Sequence, residues 1–113
     1  KTKDAYITWY AYYQTLPKTH RHSLGQRIDT LFVEIMEMIA TAGFLSKQEK
    51  HPYVRIAIRK TNILAVFLMI LWETKSIDDG KYIALSMKIE AIGRMLGGWS
   101  GQITKQNSPV GEK

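Results

Sequence analysis

The stretch Tyr82–Ile103, YIALSMKIEAIGRMLGGWSGQI, decides the fold of this 113-residue chain. Its apolar residues Tyr82, Leu85, Ile89, Ile92, Leu96, Trp99 and Ile103 step 3-4-3-4-3-4. That mean period of 3.5 is the seam of a helix packed along its length at about 20° to its neighbours. Asp78 and Asp79 precede it, where negative charge suits the positive end of the helix dipole. The spacing predicts a helix over 79–104. A single seam needs partners.

Working back along the chain, three more segments carry helical periodicity. The nearest holds the continuous apolar run Ile63–Trp72, preceded by Val54, Ala57, Ile58 and Thr61 opposite Arg55, Arg59 and Lys60. Ser46 and Glu49 have capping-box spacing, but Pro52 lies too deep for a helix begun there. Proline suits a first helical position, where its missing N–H costs nothing, so this helix is predicted over 52–75. The next is predicted over 23–43, opened by a Ser23/Gln26 capping box and closed at Gly43. Its buried stripe is Leu24, Ile28, Leu31, Ile35, Met38 and Ala42, opposite a polar face of Arg27, Thr30, Glu34 and Glu37. The first is predicted over 4–16, with Tyr6, Trp9, Tyr10, Tyr13 and Leu16 on one side and Pro17 as its stop. Short connections place consecutive helices antiparallel, so the expected fold is all-α: an up-down-up-down four-helix bundle over 1–105. The polar segment 106–113 reads as a disordered tail.

Composition narrows the function. The chain is 45% hydrophobic and contains no cysteine, which excludes disulfide scaffolds, cysteine nucleophiles and thiolate metal sites and fits a cytoplasmic protein. No secretory signal is expected at Lys1–Asp4, which is polar. As a helix, Ile63–Trp72 covers about 15 Å, half of a bilayer core, so no membrane partner is expected. Phosphate-loop and dinucleotide-binding fingerprints are absent, as are Glu-x-x-His pairs. Neither catalytic residues, a cofactor, a metal nor a small-molecule substrate is expected. His20, His22 and His51 read as solvated loop residues.

Two features exceed what one bundle requires. In the apolar run, Leu64, Leu68, Leu71 and Trp72 can face the core, while Val66, Met69 and Ile70 point elsewhere. They are covered either by the chain's own bundle or by a sister subunit; the size of the patch favours a homo-oligomer. In the last helix, Gly93, Gly97 and Gly101 recur every four residues beside Gly98. Each costs about 1 kcal/mol relative to alanine, and close approach of another backbone is the expected return.

Charge is the remaining signal. Sixteen Lys/Arg against ten Asp/Glu give +6, which points to a polyanion. In an antiparallel bundle the cations of the middle of the chain fall at two poles. One is expected to hold Lys18, Arg21 and Arg27; the other, Lys47, Lys50, Arg55, Arg59 and Lys60. Nucleic acid bound there would be read by shape and charge, with strong salt dependence.

Three stretches together resemble a known family. They are Leu16–Asp29 (LPKTHRHSLGQRID), Trp72–Lys75 (WETK) and Ile92–Trp99 (IGRMLGGW). They are similar to the accessory variability determinant proteins of diversity-generating retroelements, and more broadly to four-helix-bundle proteins encoded in 23S rRNA intervening sequences. The resemblance implies a non-enzymatic, barrel-shaped homopentamer. Such a protein binds the element's reverse transcriptase and its template RNA, with DNA or an RNA/DNA hybrid as alternatives, and supports mutagenic cDNA synthesis. It places Lys18, Arg21 and Arg27 in the family's loop motif, and Gly93, Arg94, Gly97, Gly98 and Trp99 in its last-helix motif, with Arg94 among the binding cations. One departure stands out: Ala65 and Met69 occupy positions that are basic or polar in the family pattern, which implies a wider apolar contact there. The alternative is an intervening-sequence-type bundle that self-assembles without a polymerase partner.

Overall fold

The computed structural model describes residues 2–107, with side chains through Gln102. It is helical, with no strand among the described residues. Five helices follow one another: α1 (Thr2–Gln14), α2 (Lys18–Arg21), α3 (Leu24–Gly43), α4 (Lys47–Glu73) and α5 (Asp79–Asn107). α3 packs on α4, α4 on α5, and α1 on both α5 and α3. The four long helices are the four expected from periodicity; α2 is an extra single turn between the first two. α5 runs two residues into the expected tail, and 108–113 lie outside the described residues.

Each long helix buries one stripe. α3 contributes Ile28, Leu31, Phe32 and Ile35; α4 contributes Val54, Ala57, Leu64, Leu68 and Leu71; α5 contributes Leu85, Ile89, Ile92 and Leu96. The α5 seam is therefore interior from Leu85 through Leu96, with Tyr82 and Trp99 partly covered, and the Ile103 side chain lies outside those described. Thr61 is the buried polar residue of α4, and its hydroxyl donates to the Ala57 carbonyl at 2.7 Å, so it carries no unmet hydrogen bond. Cross-helix pairs fix the register. Trp72 stacks on Tyr82 at 4.6 Å, and Lys50, a full 22 positions earlier on α4, lies over Trp99 on α5 at 5.6 Å.

α1 is anchored through aromatic side chains with polar ends. Trp9 is fully buried, stacked between Tyr13 and Phe32 at 5.4 and 6.2 Å. Its indole and the Tyr6 hydroxyl both donate to one Asp29 carboxylate oxygen, at 3.2 and 2.9 Å. Burial, and then that carboxylate, push the Tyr6 phenol up to about 12. Tyr10 departs from expectation: it is exposed, because the α1 stripe turns toward Ala5 and Trp9 and leaves it at the edge.

Several predicted helix ends and caps change, α4 ending at Glu73 among them, and three of the changes have a plain local reason. α4 starts five residues before Pro52. Ser46 caps it, accepting from the Glu49 N–H at 3.2 Å while the Glu49 carboxylate accepts from the Ser46 N–H at 3.2 Å. Proline inside the helix forfeits the bond to the Gln48 carbonyl, and the two reciprocal capping bonds offset it. Ser23 does not form the expected box; its hydroxyl donates backward to the Thr19 carbonyl at 2.9 Å, closing the α2 turn. α1 ends at Gln14, and Pro17 opens α2 instead of stopping α1 directly. Trp72, expected to face the core, sits at its margin, where its indole donates to Asp79 at 2.7 Å. Just beyond, Lys75 adopts φ 65° and the Ser76 N–H reaches back to the Leu71 carbonyl at 2.8 Å, a Schellman-type end to α4.

Candidate functional site

The cations expected at the first pole divide into two kinds. Lys18 and Arg27 are exposed. Arg21 is half-buried and already engaged: its Nη2 donates to the Leu16 carbonyl at 2.9 Å, capping the chain as it leaves α1, and its Nε is buried without an acceptor among the described residues. The adjacent His20 ring nitrogen Nδ1 lies 2.5 Å from the Ser76 hydroxyl, tying α2 to the α4–α5 connection. Beneath this turn sits Gly25. A Cβ there would meet the Leu16 side chain at 2.7 Å and the His20 carbonyl oxygen at 2.8 Å. Much of the LPKTHRHSLGQRID string is thus accounted for by packing: Pro17 opens the turn, Arg21 holds it closed, and Gly25 lets α3 approach it.

The second pole is freer. Lys47, Arg55 and Arg59 are exposed along the first half of α4, and Lys50 extends over Trp99. The Glu49 carboxylate among them is turned onto the Ser46 N–H. Lys60 leaves the group: its ammonium pairs with Glu34 of α3 at 3.0 Å, bridging the two helices. Arg94 likewise pairs with Glu90 one turn earlier on α5, at 3.3 Å. At this pole the cationic surface therefore contracts to Lys47, Lys50, Arg55 and Arg59. At the tip of the same end, in the connection from α3 to α4, Phe44 is 90% exposed. Sequence reasoning passed over it; the available signal was an aromatic residue in a connection too short to fold back on itself.

The residues expected at a subunit contact are left largely uncovered by the chain. Val66 is 48% exposed and Met69 is 37% exposed, while Ile70 is half-buried. Ile56 and Ile63, not among the residues expected at the contact, extend the stripe, since 56, 63 and 70 recur at seven-residue steps with Val66 beside them. On α5, Ile83 and Met87 are exposed as well. The glycine strip does not pack against any described residue: a Cβ at Gly93, Gly97, Gly98 or Gly101 would meet nothing described within 4 Å. The expected close approach is thus not made by any described part of this subunit. Gly93 borders a groove of about 490 Å³ between α4 and α5, walled by the small residues Ala65 and Ser86 with Arg94 at its rim.

Among the described residues, no three His, Asp or Glu side chains come together in a way that could hold a metal ion. A cleft of about 740 Å³ lies at the α4–α5 connection, lined in part by Glu73, Asp78 and Asp79, and the two aspartates have structural tasks. Asp78 accepts from the Lys81 N–H at 2.8 Å, and Asp79 accepts from the Trp72 indole. No described helix is long and apolar enough to cross a membrane. Comparison of the chain with protein-family models, curated proteins and solved structures finds no match.

Proposed function

We propose that this chain is the accessory protein of a diversity-generating retroelement, a cytoplasmic, non-enzymatic homo-oligomer that binds the element's reverse transcriptase and template RNA. In this reading the helices form an antiparallel up-down-up-down four-helix bundle, with α2 as an insertion in its first connection. Five copies assemble into a barrel through the outer sides of α4 and α5. The observation that carries the reading is the outer side of α4, which changes along its length from cationic (Lys47, Arg55, Arg59) to apolar (Ile56, Ile63, Val66, Met69). An uncovered apolar stripe supports a sister subunit, and a cationic stretch continuous with it supports a polyanion bound across the assembled particle.

The test is the native mass of the purified protein, alone and with template RNA and reverse transcriptase. A pentamer that retains both partners is expected, with RNA retention falling steeply as salt rises. Replacing Ile63 and Val66 together by aspartate should release single, still helical subunits. A wild-type protein that remains a single subunit overturns the assembly. A stable oligomer that retains RNA but never the polymerase instead favours a self-assembling bundle of the intervening-sequence type.

A further inference from the structure

Among the described residues, the α3–α4 connection holds the most exposed large apolar side chain. Phe44 is 90% exposed, ahead of Met87 at 64%, and no other large apolar side chain among the described residues exceeds these two. A phenyl ring left in water forfeits the whole free energy of its burial. The backbone does not permit it to fold in. The Phe44 N–H donates to the Thr41 carbonyl at 3.1 Å and the Leu45 N–H to the Ala42 carbonyl at 3.2 Å, while Ser46 is fixed by its capping box. Every residue of the connection is therefore pinned. Leu45 turns partly inward, and in the closed turn Phe44 is held outward.

What surrounds the ring narrows its partner. Lys47 and Lys50 follow within two turns, then Arg55 and Arg59 on the same helix, and the intervening Glu49 is occupied by its cap. A membrane-binding element would present a whole apolar face, and a protein-binding core would exclude charge; an exposed aromatic ring at the head of a helix whose first half carries exposed cations matches neither. It matches the combination that binds single-stranded nucleic acid, in which cations follow the backbone and an aromatic face stacks an unpaired base. We propose that Phe44 stacks on an unpaired base of single-stranded RNA whose phosphates lie along Lys47, Arg55 and Arg59. The proposal rests on the RNA-binding part of the function proposed above and adds which form of RNA this pole selects.

The experiment measures binding of the full chain to two labelled probes at low salt, a 12-nucleotide adenosine RNA and a 12-base-pair RNA duplex. Phe44→Ala is expected to weaken the single strand by about 5- to 100-fold and to leave the duplex within about twofold, because a paired base offers no free face. Phe44→Trp should retain single-strand binding and gain an emission quenched by the strand beyond any change in the parent protein. Equal affinity of Phe44→Ala and parent for the single strand, or equal losses on both probes, overturns the stacking role while leaving RNA binding intact. Loss of binding to phosphatidylserine vesicles alone overturns it in favour of a membrane contact. Failure of the parent protein to bind either RNA refutes RNA binding itself, and the stacking role with it.

Discussion

Two glycine-bearing regions of this protein are alike in sequence and opposite in structure. Around Gly25 the chain is closed: α1, α2 and α3 converge so tightly that one added carbon would touch a side chain and a backbone oxygen. Along Gly93, Gly97, Gly98 and Gly101 the surface is open, and four added carbons would touch nothing among the described residues. Glycine in a helix carries the same backbone cost in both places. In the first region the return lies within the chain. In the second, nothing in the described subunit provides one, so any return must come from outside it. A motif of small residues thus marks close approach without saying whose backbone approaches.

The sharpest way to break this contrast is Gly25→Ala. Overpacking against Leu16 and the His20 carbonyl should destabilise the chain by about 3 kcal/mol, read as a lower urea midpoint at unchanged slope. An alanine tolerated at no cost would mean that the α2 turn moves freely and the region is not closed. Gly97→Ala should act in the opposite direction, stabilising an isolated subunit by just under about 1 kcal/mol through helix propensity. Gly97→Leu should leave the fold of a subunit intact while reducing the mass of the assembly. Loss of subunit stability in either variant would place the strip inside the fold after all.

A pH-dependent effect sharpens the closed side. Because the folded Tyr6 phenol is raised from 10.0 to about 12, the folded state holds its proton more tightly than the unfolded chain does. Its contribution is fully present below pH 10 and is lost as pH rises toward 12. Tyr6→Phe should therefore lose stability at neutral pH and show a flatter decline than the parent between pH 10 and 12, measured by denaturant titration at each pH. An identical alkaline decline in both proteins would detach Tyr6 from Asp29.

The helices were legible because hydrophobic period survives any local detail: Leu85 through Leu96 could be placed on one seam with no knowledge of what faced them. The start of α4 was not, since its position depends on a balance between two capping bonds at Ser46 and one lost bond at Pro52, a difference of the order of 1 kcal/mol. Asp29 as joint acceptor for Tyr6 and Trp9 required knowing which helices touch, although two aromatics with polar ends on one stripe already demanded an acceptor opposite. The basic residues were legible as charge and illegible as partners. Sequence gives Arg21, Lys60 and Arg94 the same weight as Lys47 and Arg55, while the fold commits the first three to Leu16, Glu34 and Glu90. The resemblance strings carry the same ambiguity, because Arg21 and Gly25 would recur for folding whether or not a ligand is bound.

The proline within α4 has a consequence for how the molecule opens. Without an amide hydrogen at position 52, the carbonyl of Gln48 has no partner in the following turn, so the segment from Ser46 to His51 is joined to the remaining helix by one fewer backbone link. Fraying that begins at the cap can stop at the proline instead of running on into the Val54–Leu71 interior. In native-state hydrogen exchange, the amides just before the ring should form a separate, early-opening unit, and they belong to the segment that carries two of the pole's lysines.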